Sequence, residues 1–341
     1  ILPANDDGSI DWQSGIGCGP YRLVNFEPGV ETRFTRNPDY WKSDRAWVDE
    51  IVMLSIIDSA ARTNALMTGE VDAIDRVEPR TATLLGRNPQ ITLNEVAGTQ
   101  HYTFAMHTDT APFDDVNVRL ALKWGLNRQE MVDKVLSGFG VVGNDHPIGP
   151  NQRYHHGELP QREFDPERSR YHLKQAGLES LSVRLSVADA AFTGAVDAGQ
   201  LFAETARQGG IDLTVNRVPN DGYWSNVWLK DPFCAVYWGG RPTEDWMFAT
   251  AYEAGVPWND TNWTNERFMD LLLAARAELD EDTRRGMYYE MQEIVSNDGG
   301  AIVPMFASYV FATGPTVTHN EQVAANWDMD GEKWAERWWM V

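Results

Sequence analysis

The chain has little of what several classes of protein need. It has only two cysteines, Cys18 and Cys234. We expect both to be small buried residues, with a disulfide between them as the alternative in an oxidising compartment. No stretch reaches the roughly 18 apolar residues of a membrane helix. Positive charge is also scarce, because 29 lysines and arginines stand against 50 acidic residues, for a net charge of −21. This balance argues against a nucleic-acid partner and against adsorption to anionic membranes.

Common catalytic and cofactor motifs are missing as well. The sequence holds no P-loop, no HExxH and no GxSxG. The glycines within residues 138–143 match GxGxxG, but they follow a predicted helix, whereas a dinucleotide site needs a strand there. His146, His155 and His156 lack a cysteine or acidic partner at zinc-site spacing, so a solvated loop is favoured over a metal site. The sequence therefore predicts no catalytic residue, no metal and no cofactor.

The remaining residues have the composition of a globular α/β protein. The 341 residues are 43% hydrophobic and 23% charged, enough for two domains of ordinary size. Turn signals predict a hairpin with arms at 21–26 and 31–36. A strand at 50–57, a helix capped by Ser59 and a strand at 71–74 predict a parallel crossover unit.

A second α/β unit is predicted further along the chain. Its strands, 181–187 and 211–215, alternate in hydrophobicity and flank a helix over 199–208. Side chains typical of helix N-caps predict other helix starts at Asn127, Asp165 and Asn265. The segment 301–311 is predicted to be extended.

The segment 233–263 stands out as a candidate binding site. An apolar run at 233–238 predicts a buried strand that glycines then end. Ligands of open α/β sheets lie beyond the carboxyl ends of strands, and aromatic rings beside a few polar groups suit a small-molecule cleft. A tryptophan-rich core edge with a solvated loop is the alternative. The candidate ligand-binding residues are Tyr237, Trp238, Arg241, Asp245, Trp258, Asn259 and Trp263.

Four sets of short motifs together resemble one family. Residues 17–21 (GCGPY) with 36–41 (RNPDYW) resemble the GTGPY…RNPDYW signature of the family 5 extracellular solute-binding proteins. These are the peptide, oligopeptide and nickel binders of ABC importers. Residues 67–72 (MTGEVD), 112–122 (PFDDVNVRLAL) and 164–167 (FDPE) are similar to further motifs of that family. One departure is Cys18, where threonine is usual.

The resemblance implies an α/β fold of the two-lobe periplasmic binding protein type (type II-like, cluster C) that closes on its ligand by a hinge. By analogy, residues 1–105 and 306–341 form a first lobe and residues 106–305 form the second. The hinge is expected near 103–110 and 304–315. Family chains carry roughly a further third before the GTGPY signature. We therefore expect a fragment that lacks its N-terminal third and exposes apolar surface on its first lobe.

The function that the resemblance implies is that of a carrier and not of an enzyme. The chain would be the periplasmic substrate-binding subunit of an ABC importer, with its signal peptide outside the sequence given. It would capture a short peptide or peptide-like solute between two lobes, as a monomer, and deliver it to the membrane permease. The alternative is a glycoside hydrolase or another hydrolase acting on sugars, suggested by 14 tryptophans and many carboxylates.

Arg241 suggests the charge of the ligand. Many peptide binders of the resembled family carry an acidic residue just beyond the strand that ends here at Trp238, where it pairs with the ligand's amino terminus. This chain has Arg241 at that place, and a guanidinium matches a carboxylate in two-pronged fashion. Arg241 is therefore predicted to bind an anionic group of the ligand. An internal pair with Glu244 or Asp245 is the alternative.

Overall fold

The protein consists of two compact units, which are described one at a time. The structure is a computed structural model and describes residues 2–341. Unit 1 holds the chain up to Val96 and again from Tyr309 onward, and unit 2 holds Ala97–Ser308. The sequence analysis had placed these boundaries at residues 105 and 306. Across residues 2–341, no helix combines the length and the apolar character needed to cross a membrane.

Helices and strands alternate along most of the chain. After a short 3-10 turn at Trp12–Ser14, the first part of unit 1 contains β1 (Tyr21–Glu27), β2 (Glu31–Arg36), β3 (Glu50–Leu54), α1 (Ser59–Thr68), β4 (Ala73–Ile74), α2 (Pro79–Leu85) and β5 (Thr92–Val96). The first half of unit 2 contains β6 (His101–Met106), α3 (Val116–Trp124), α4 (Arg128–Lys134), β7 (Gly140–Val142), α5 (Pro166–Gln175), β8 (Leu181–Val187) and α6 (Ala195–Gln208). Its second half contains β9 (Ile211–Arg217), α7 (Tyr223–Asn226), β10 (Phe233–Trp238), α8 (Glu244–Ala251), α9 (Glu266–Ala277), α10 (Glu281–Asp298) and β11 (Ala301–Ala307). The chain ends in unit 1 with β12 (Tyr309–Thr313), β13 (Val317–Thr318), α11 (Asp328–Glu332), α12 (Trp334–Arg337) and β14 (Trp339–Met340).

Unit 1 is built from small antiparallel sheets. The predicted hairpin is confirmed as β1 and β2, and β3 pairs with the outer edge of β2. The predicted parallel crossover between β3 and β4 is wrong. Strand β4 has only two residues, and it pairs antiparallel with β12 in a separate sheet. Helix α1 between them begins one residue earlier than predicted, because the side chain of Asp58, and not Ser59, accepts the Ala61 N–H.

Apolar side chains stand exposed over much of unit 1, as predicted. On the β1-β2-β3 sheet Val24, Val52 and Met53 are exposed, and Ile57 just after β3 is 92% exposed. Cys18, which was predicted to be buried, is exposed.

Unit 2 is organised around one mixed six-stranded sheet. Its strand order is β7-β11-β6-β10-β8-β9. Strands β8 and β9 pair in parallel over their whole length and are joined by α6, which confirms the predicted second α/β unit. Strand β10 runs parallel to β8 and antiparallel to β6. The predicted extended segment 301–311 is two strands in different units, since β11 ends at Ala307 and β12 begins at Tyr309.

Helix starts in unit 2 follow the predicted caps. The side chains of Asn127, Asp165 and Asn265 each accept a backbone N–H from the first turn of the helix that follows. These bonds satisfy donors that the helix itself leaves unpaired. The caps fix where α4, α5 and α9 begin, and thereby how each helix approaches the sheet.

Residues 143–149 of the histidine-containing loop after β7 are buried, contrary to the prediction of a solvated loop, whereas His155 and His156 further along are partly exposed. Asp145 in this loop has no exposed side-chain surface and binds Arg128 and Arg162, each with an oxygen-to-nitrogen distance of 2.6 Å. Gly143 lies so close to β11 that a Cβ atom would come within 2.2 Å of the Val303 carbonyl oxygen. The ion pairs and the close backbone packing draw the loop inward, and His146 is only 1% exposed.

Candidate functional site

The candidate site lies at the carboxyl end of β10 in unit 2. The strand spans Phe233–Trp238, as predicted, and its residues are buried except for Tyr237. Strand β8 pairs with β10 only at Cys234, so this pairing does not reach the last residues of β10. Helix α7 is held against the strand because the Tyr223 hydroxyl donates to the Ala235 carbonyl oxygen at 2.7 Å. Trp224 of α7 thus comes beside Tyr237, and Trp228 just after α7 comes beside Trp238.

Five aromatic side chains form a connected group at this place, which we call the aromatic cluster. Its members are Trp224, Trp228, Tyr237, Trp238 and Trp258. Trp228 is at its centre, with ring centroids 5.7 Å from Trp224, 6.3 Å from Trp238 and 6.2 Å from Trp258. Trp224, Tyr237 and Trp258 are 39%, 40% and 48% exposed. The cluster therefore presents three aromatic side chains to solvent, and Trp228 and Trp238 are its inner members.

A buried carboxylate lies behind the cluster. Asp260 is 5% exposed, and its Oδ2 atom accepts the indole N–H groups of Trp228 at 3.3 Å and Trp238 at 3.2 Å. Burial raises the pKa of Asp260 to about 7, although the two indole hydrogen bonds oppose the rise. Asp260 belongs to the same loop as Trp258, so one side chain links this loop to both inner tryptophans.

Arg241 lies in the turn that follows β10. Its Nη1 donates to the carbonyl oxygens of Gly239 and Gly240 at 3.2 and 3.1 Å. His101 pairs with Trp238 across β6 and β10. Burial lowers the pKa of His101 to about 4, and the positive charge of Arg241 contributes to the lowering. Arg241 is thus a partly buried cation beside the end of the central strands.

The other predicted site residues have partners within the protein. Asp245 pairs with Arg276 at 2.7 Å. Asn259 is buried and donates to the carbonyl oxygens of Glu253 and Trp263, which holds its loop in shape. Trp263 is 2% exposed and donates its indole N–H to Asp298. The structure therefore brings Tyr237, Trp238, Arg241 and Trp258 together at the end of β10. Ligand contacts by Asp245, Asn259 and Trp263 stay predictions that these internal bonds do not favour.

Three residues of the site were missed by sequence analysis. Trp224 and Trp228 precede β10, whereas the rule that ligands lie beyond the carboxyl ends of strands points to residues after it. The WSNVW spacing puts them four residues apart, which was a signal for one shared helical face. Asp260 carried no local signal, because its role depends on two tryptophans from other segments.

Metal binding finds no support in the described part of the chain. Among residues 2–341, no three histidine, cysteine, aspartate or glutamate side chains are grouped so that they could hold an ion. The ring centroids of His146 and His155 are 5.8 Å apart, and burial lowers the pKa of His146 to about 3. His146 belongs to the packed interior of unit 2, and His155 is partly exposed.

Comparison with known proteins defines the class of this fold and site. The sequence model of the bacterial extracellular solute-binding proteins, family 5 Middle, matches residues 2–260. The chain belongs to this family. A curated relative, the di/tripeptide-binding protein 1 of Pseudomonas aeruginosa (strain UCBPP-PA14), is 24% identical over 92% of this chain and 59% of its own length. The probable ABC transporter periplasmic-binding protein SapA of Escherichia coli K12 is 24% identical over 83% of this chain and 53% of its own length.

Solved structures share the fold. The periplasmic binding protein DppA of Helicobacter pylori, in complex with the peptide STSA, superposes with a TM-score of 0.81 at 20% identity. The match covers 94% of this chain and 63% of the DppA chain. The present chain thus spans less than two thirds of the length of these relatives.

Proposed function

We propose that the protein is the substrate-binding subunit of an ABC importer, working outside the cytoplasmic membrane and handing a small solute to a membrane permease. Family membership supports the carrier role, because this family consists of solute-binding proteins and not of enzymes. The names of its relatives, a di/tripeptide-binding protein and a periplasmic-binding protein of an ABC transporter, support the compartment and the permease. The sugar hydrolase considered from the sequence has no support among these relatives.

The observation that carries the binding role is the aromatic cluster. Large exposed aromatic surfaces are unusual in a well-packed domain, and Trp224, Tyr237 and Trp258 stand together at the carboxyl end of a central strand. Aromatic rings bind apolar and planar groups over a large area and lose little conformational entropy on binding. We infer that these three side chains contact the solute.

Arg241 is proposed to bind a negatively charged group of the solute. The guanidinium is partly buried in the turn that follows β10, where it donates to the carbonyl oxygens of Gly239 and Gly240. A carboxylate-bearing solute, such as a short peptide, would give Arg241 a two-pronged partner. The proposed ligand is therefore a short peptide or peptide-like compound with a free carboxylate.

Substitution of Arg241 tests the proposal that it binds a carboxylate of the solute. Wild-type protein is screened by native mass spectrometry against an equimolar pool of dipeptides, and the tightest binder is measured by calorimetry. Arg241→Ala is expected to cost about 2 to 5 kcal/mol of binding free energy, because a desolvated carboxylate would lose its charged partner. Arg241→Lys is expected to weaken binding as well, since an ammonium does not reproduce the two-pronged geometry.

The matched control is Arg267→Ala. Arg267 pairs with Glu290 on the exposed faces of α9 and α10, so its loss is expected to leave dipeptide binding unchanged. An Arg241→Ala protein that binds within a factor of about two of wild type would end the carboxylate assignment. Recovery of intact dipeptide after incubation supports a carrier, while consumption of the dipeptide would favour a hydrolase.

A further inference from the structure

Asp260 joins three separate chain segments through one atom. Its Oδ2 accepts the indole N–H of Trp228, which follows α7, and that of Trp238, which ends β10. Its own loop carries Trp258, whose ring contacts both of these tryptophans at centroid distances of 6.2 and 6.3 Å. Trp228 and Trp238 are therefore bound by the same carboxylate oxygen, and the exposed rings of Trp224 and Trp258 pack against them.

The two hydrogen bonds to Asp260 fix the orientation of the indole rings, which packing alone does not fix. A buried indole N–H without an acceptor is costly, so loss of the carboxylate would favour rotation of Trp228 or Trp238 toward another acceptor or water. Trp228 contacts Trp224 and Trp258 directly. A rotation at Trp228 would consequently change the position of two of the three exposed aromatic surfaces.

Two titratable groups that interact with Asp260 are a thiol and a phenol, and both are neutral near pH 7. The thiol of Cys234 on β10 and the phenol of Tyr252 after α8 interact with Asp260. Burial raises the pKa of both groups above their ordinary values. The next carboxylate, Asp231, faces Cys234 and bonds to Ser186. Of the Cys234 thiol, the Tyr252 phenol and the Asp260 carboxyl, the carboxyl is the group with a pKa near neutrality.

We propose that Asp260 is the positioning residue of the aromatic cluster, holding Trp228 and Trp238 so that Trp224, Tyr237 and Trp258 present a preformed surface to the solute. This role rests on the proposed binding function, because it assigns Asp260 to the same site. Asp260 itself is shielded from the solute by the tryptophans that it binds. Its contribution is preorganisation, which lowers the cost of ordering the surface on binding.

Two substitutions separate positioning from folding. Asp260→Leu removes both acceptor bonds while keeping a side chain of similar size, and it is expected to lower stability because two indole N–H groups lose their acceptor. It is expected to weaken binding of the tightest dipeptide from the pool by about tenfold or more. Asp260→Asn keeps a carbonyl oxygen for the indoles and is expected to bind within about threefold of wild type.

A second readout follows the indole groups directly. In protein with ¹⁵N-labelled tryptophan, the Nε1–H resonances of Trp228 and Trp238, assigned with Trp→Phe variants, report their hydrogen bonds. In wild type both resonances are expected to shift with a midpoint near pH 7, the pKa of Asp260. Asp260→Asn should abolish this titration, and Asp260→Leu should displace both resonances at every pH.

The control variant is Asp298→Asn. Asp298 also accepts a tryptophan indole, that of Trp263, but lies outside the aromatic cluster. Its substitution is expected to lower stability without changing dipeptide affinity. Wild-type-like dipeptide binding by folded Asp260→Leu would overturn the positioning role and leave the proposed function standing.

The two proposals fail in different ways. If wild type binds no dipeptide, the proposed ligand class fails and the resonances alone decide the role of Asp260. In that case, resonances that titrate in wild type but not in Asp260→Asn support the positioning role. Resonances that behave alike in wild type, Asp260→Asn and Asp260→Leu overturn it. If Asp260→Leu does not fold, the same comparison between wild type and Asp260→Asn decides.

Discussion

Unit 1 and unit 2 differ in how completely they bury apolar side chains. In unit 2 the central strands are enclosed, and Phe104 and Leu185 have no exposed surface. In unit 1 the β1-β2-β3 sheet leaves Val24, Val52 and Met53 exposed. The aromatic cluster of unit 2 therefore stands out against a closed background, whereas a single exposed ring in unit 1 does not. Exposure indicates a binding surface only where the rest of the domain is well packed.

The units differ in buried charge as well. Unit 2 encloses Lys123, Arg128, Asp145 and Arg162. Burial by itself raises the pKa of Asp145, but the three cations outweigh this and lower it to about 2. In unit 1 the buried carboxylate Asp330 pairs with Arg337, which is 40% exposed. Removal of a buried carboxylate should therefore lower the free energy of unfolding more in unit 2 than in unit 1.

The largest expected effect tests this contrast. Asp145→Asn leaves two buried guanidinium groups without their carboxylate and is expected to lower the free energy of unfolding by about 3 to 5 kcal/mol. Asp330→Asn is expected to cost only about 1 kcal/mol, because Arg337 can be hydrated. Urea denaturation, with hydrogen exchange to locate the loss in one unit, measures both. Equal losses would contradict the contrast in buried charge.

The next effect concerns exposed tryptophans. Trp258→Ala in the aromatic cluster is expected to reduce dipeptide binding by about 2 kcal/mol, the range of an interface hot spot. Trp41→Ala in unit 1 is the matched control, since Trp41 is 72% exposed but lies outside the cluster, and it should leave affinity unchanged. Calorimetry with the dipeptide chosen by mass spectrometry measures both variants. A similar loss for both would remove the distinction between the two exposed surfaces.

The next effect, which is smaller when compared over one pH unit, depends on pH. Burial lowers the pKa of Lys123 to about 7 from its ordinary value of 10.5. Between these two pH values the unfolded chain binds a proton that the folded chain does not. Stability should therefore rise with pH in this window, by up to about 1.4 kcal/mol per pH unit, and Lys123→Met should lack the rise. Lys42 in unit 1 pairs with Glu336, which raises its pKa, so Lys42→Met should keep the rise. Urea titrations across this range would show no difference between the variants if Lys123 stays charged.

The smallest effect tests the exposed apolar surface. Ile57→Ser in unit 1 is expected to change stability by less than about 0.5 kcal/mol, because the side chain is already 92% exposed. It should reduce binding of an apolar fluorescent dye, since other exposed apolar residues lie in the same unit. Leu279→Ser in unit 2 is the control, with a side chain that is 90% exposed, and it should leave dye binding unchanged. Equal dye binding by the two variants would argue against a continuous apolar surface.

Local patterns in the sequence were sufficient wherever a structure depends on neighbouring residues. The strand at 233–238, the hairpin of β1 and β2, and the caps Asn127, Asp165 and Asn265 are all predicted correctly. Each depends on alternation, turn residues or a side chain within a few positions of the backbone group that it binds. The family was also recognisable, because its motifs are short and contiguous.

Features that join distant segments were not predictable in this way. The pairing of β4 with β12 joins residues 73–74 to 312–313, and no pattern around β4 distinguishes it from a parallel strand. The loop that carries His146 looked solvated because its glycines, prolines and histidines are typical of surface loops. It is buried because Asp145 meets two arginines from elsewhere in the chain.

The sequence by itself determined the strand that leads to the site, the aromatic residues at its end and the cation that follows them. Only the tertiary structure decided which of these residues are exposed and which are internal. Trp258 and Trp263 have the same local chemistry, but Trp258 is 48% exposed while Trp263 is 2% exposed and bonds to Asp298. The choice depends on the partners that folding brings to each indole, and for Trp228 and Trp238 that partner is Asp260, a residue from another segment of the chain.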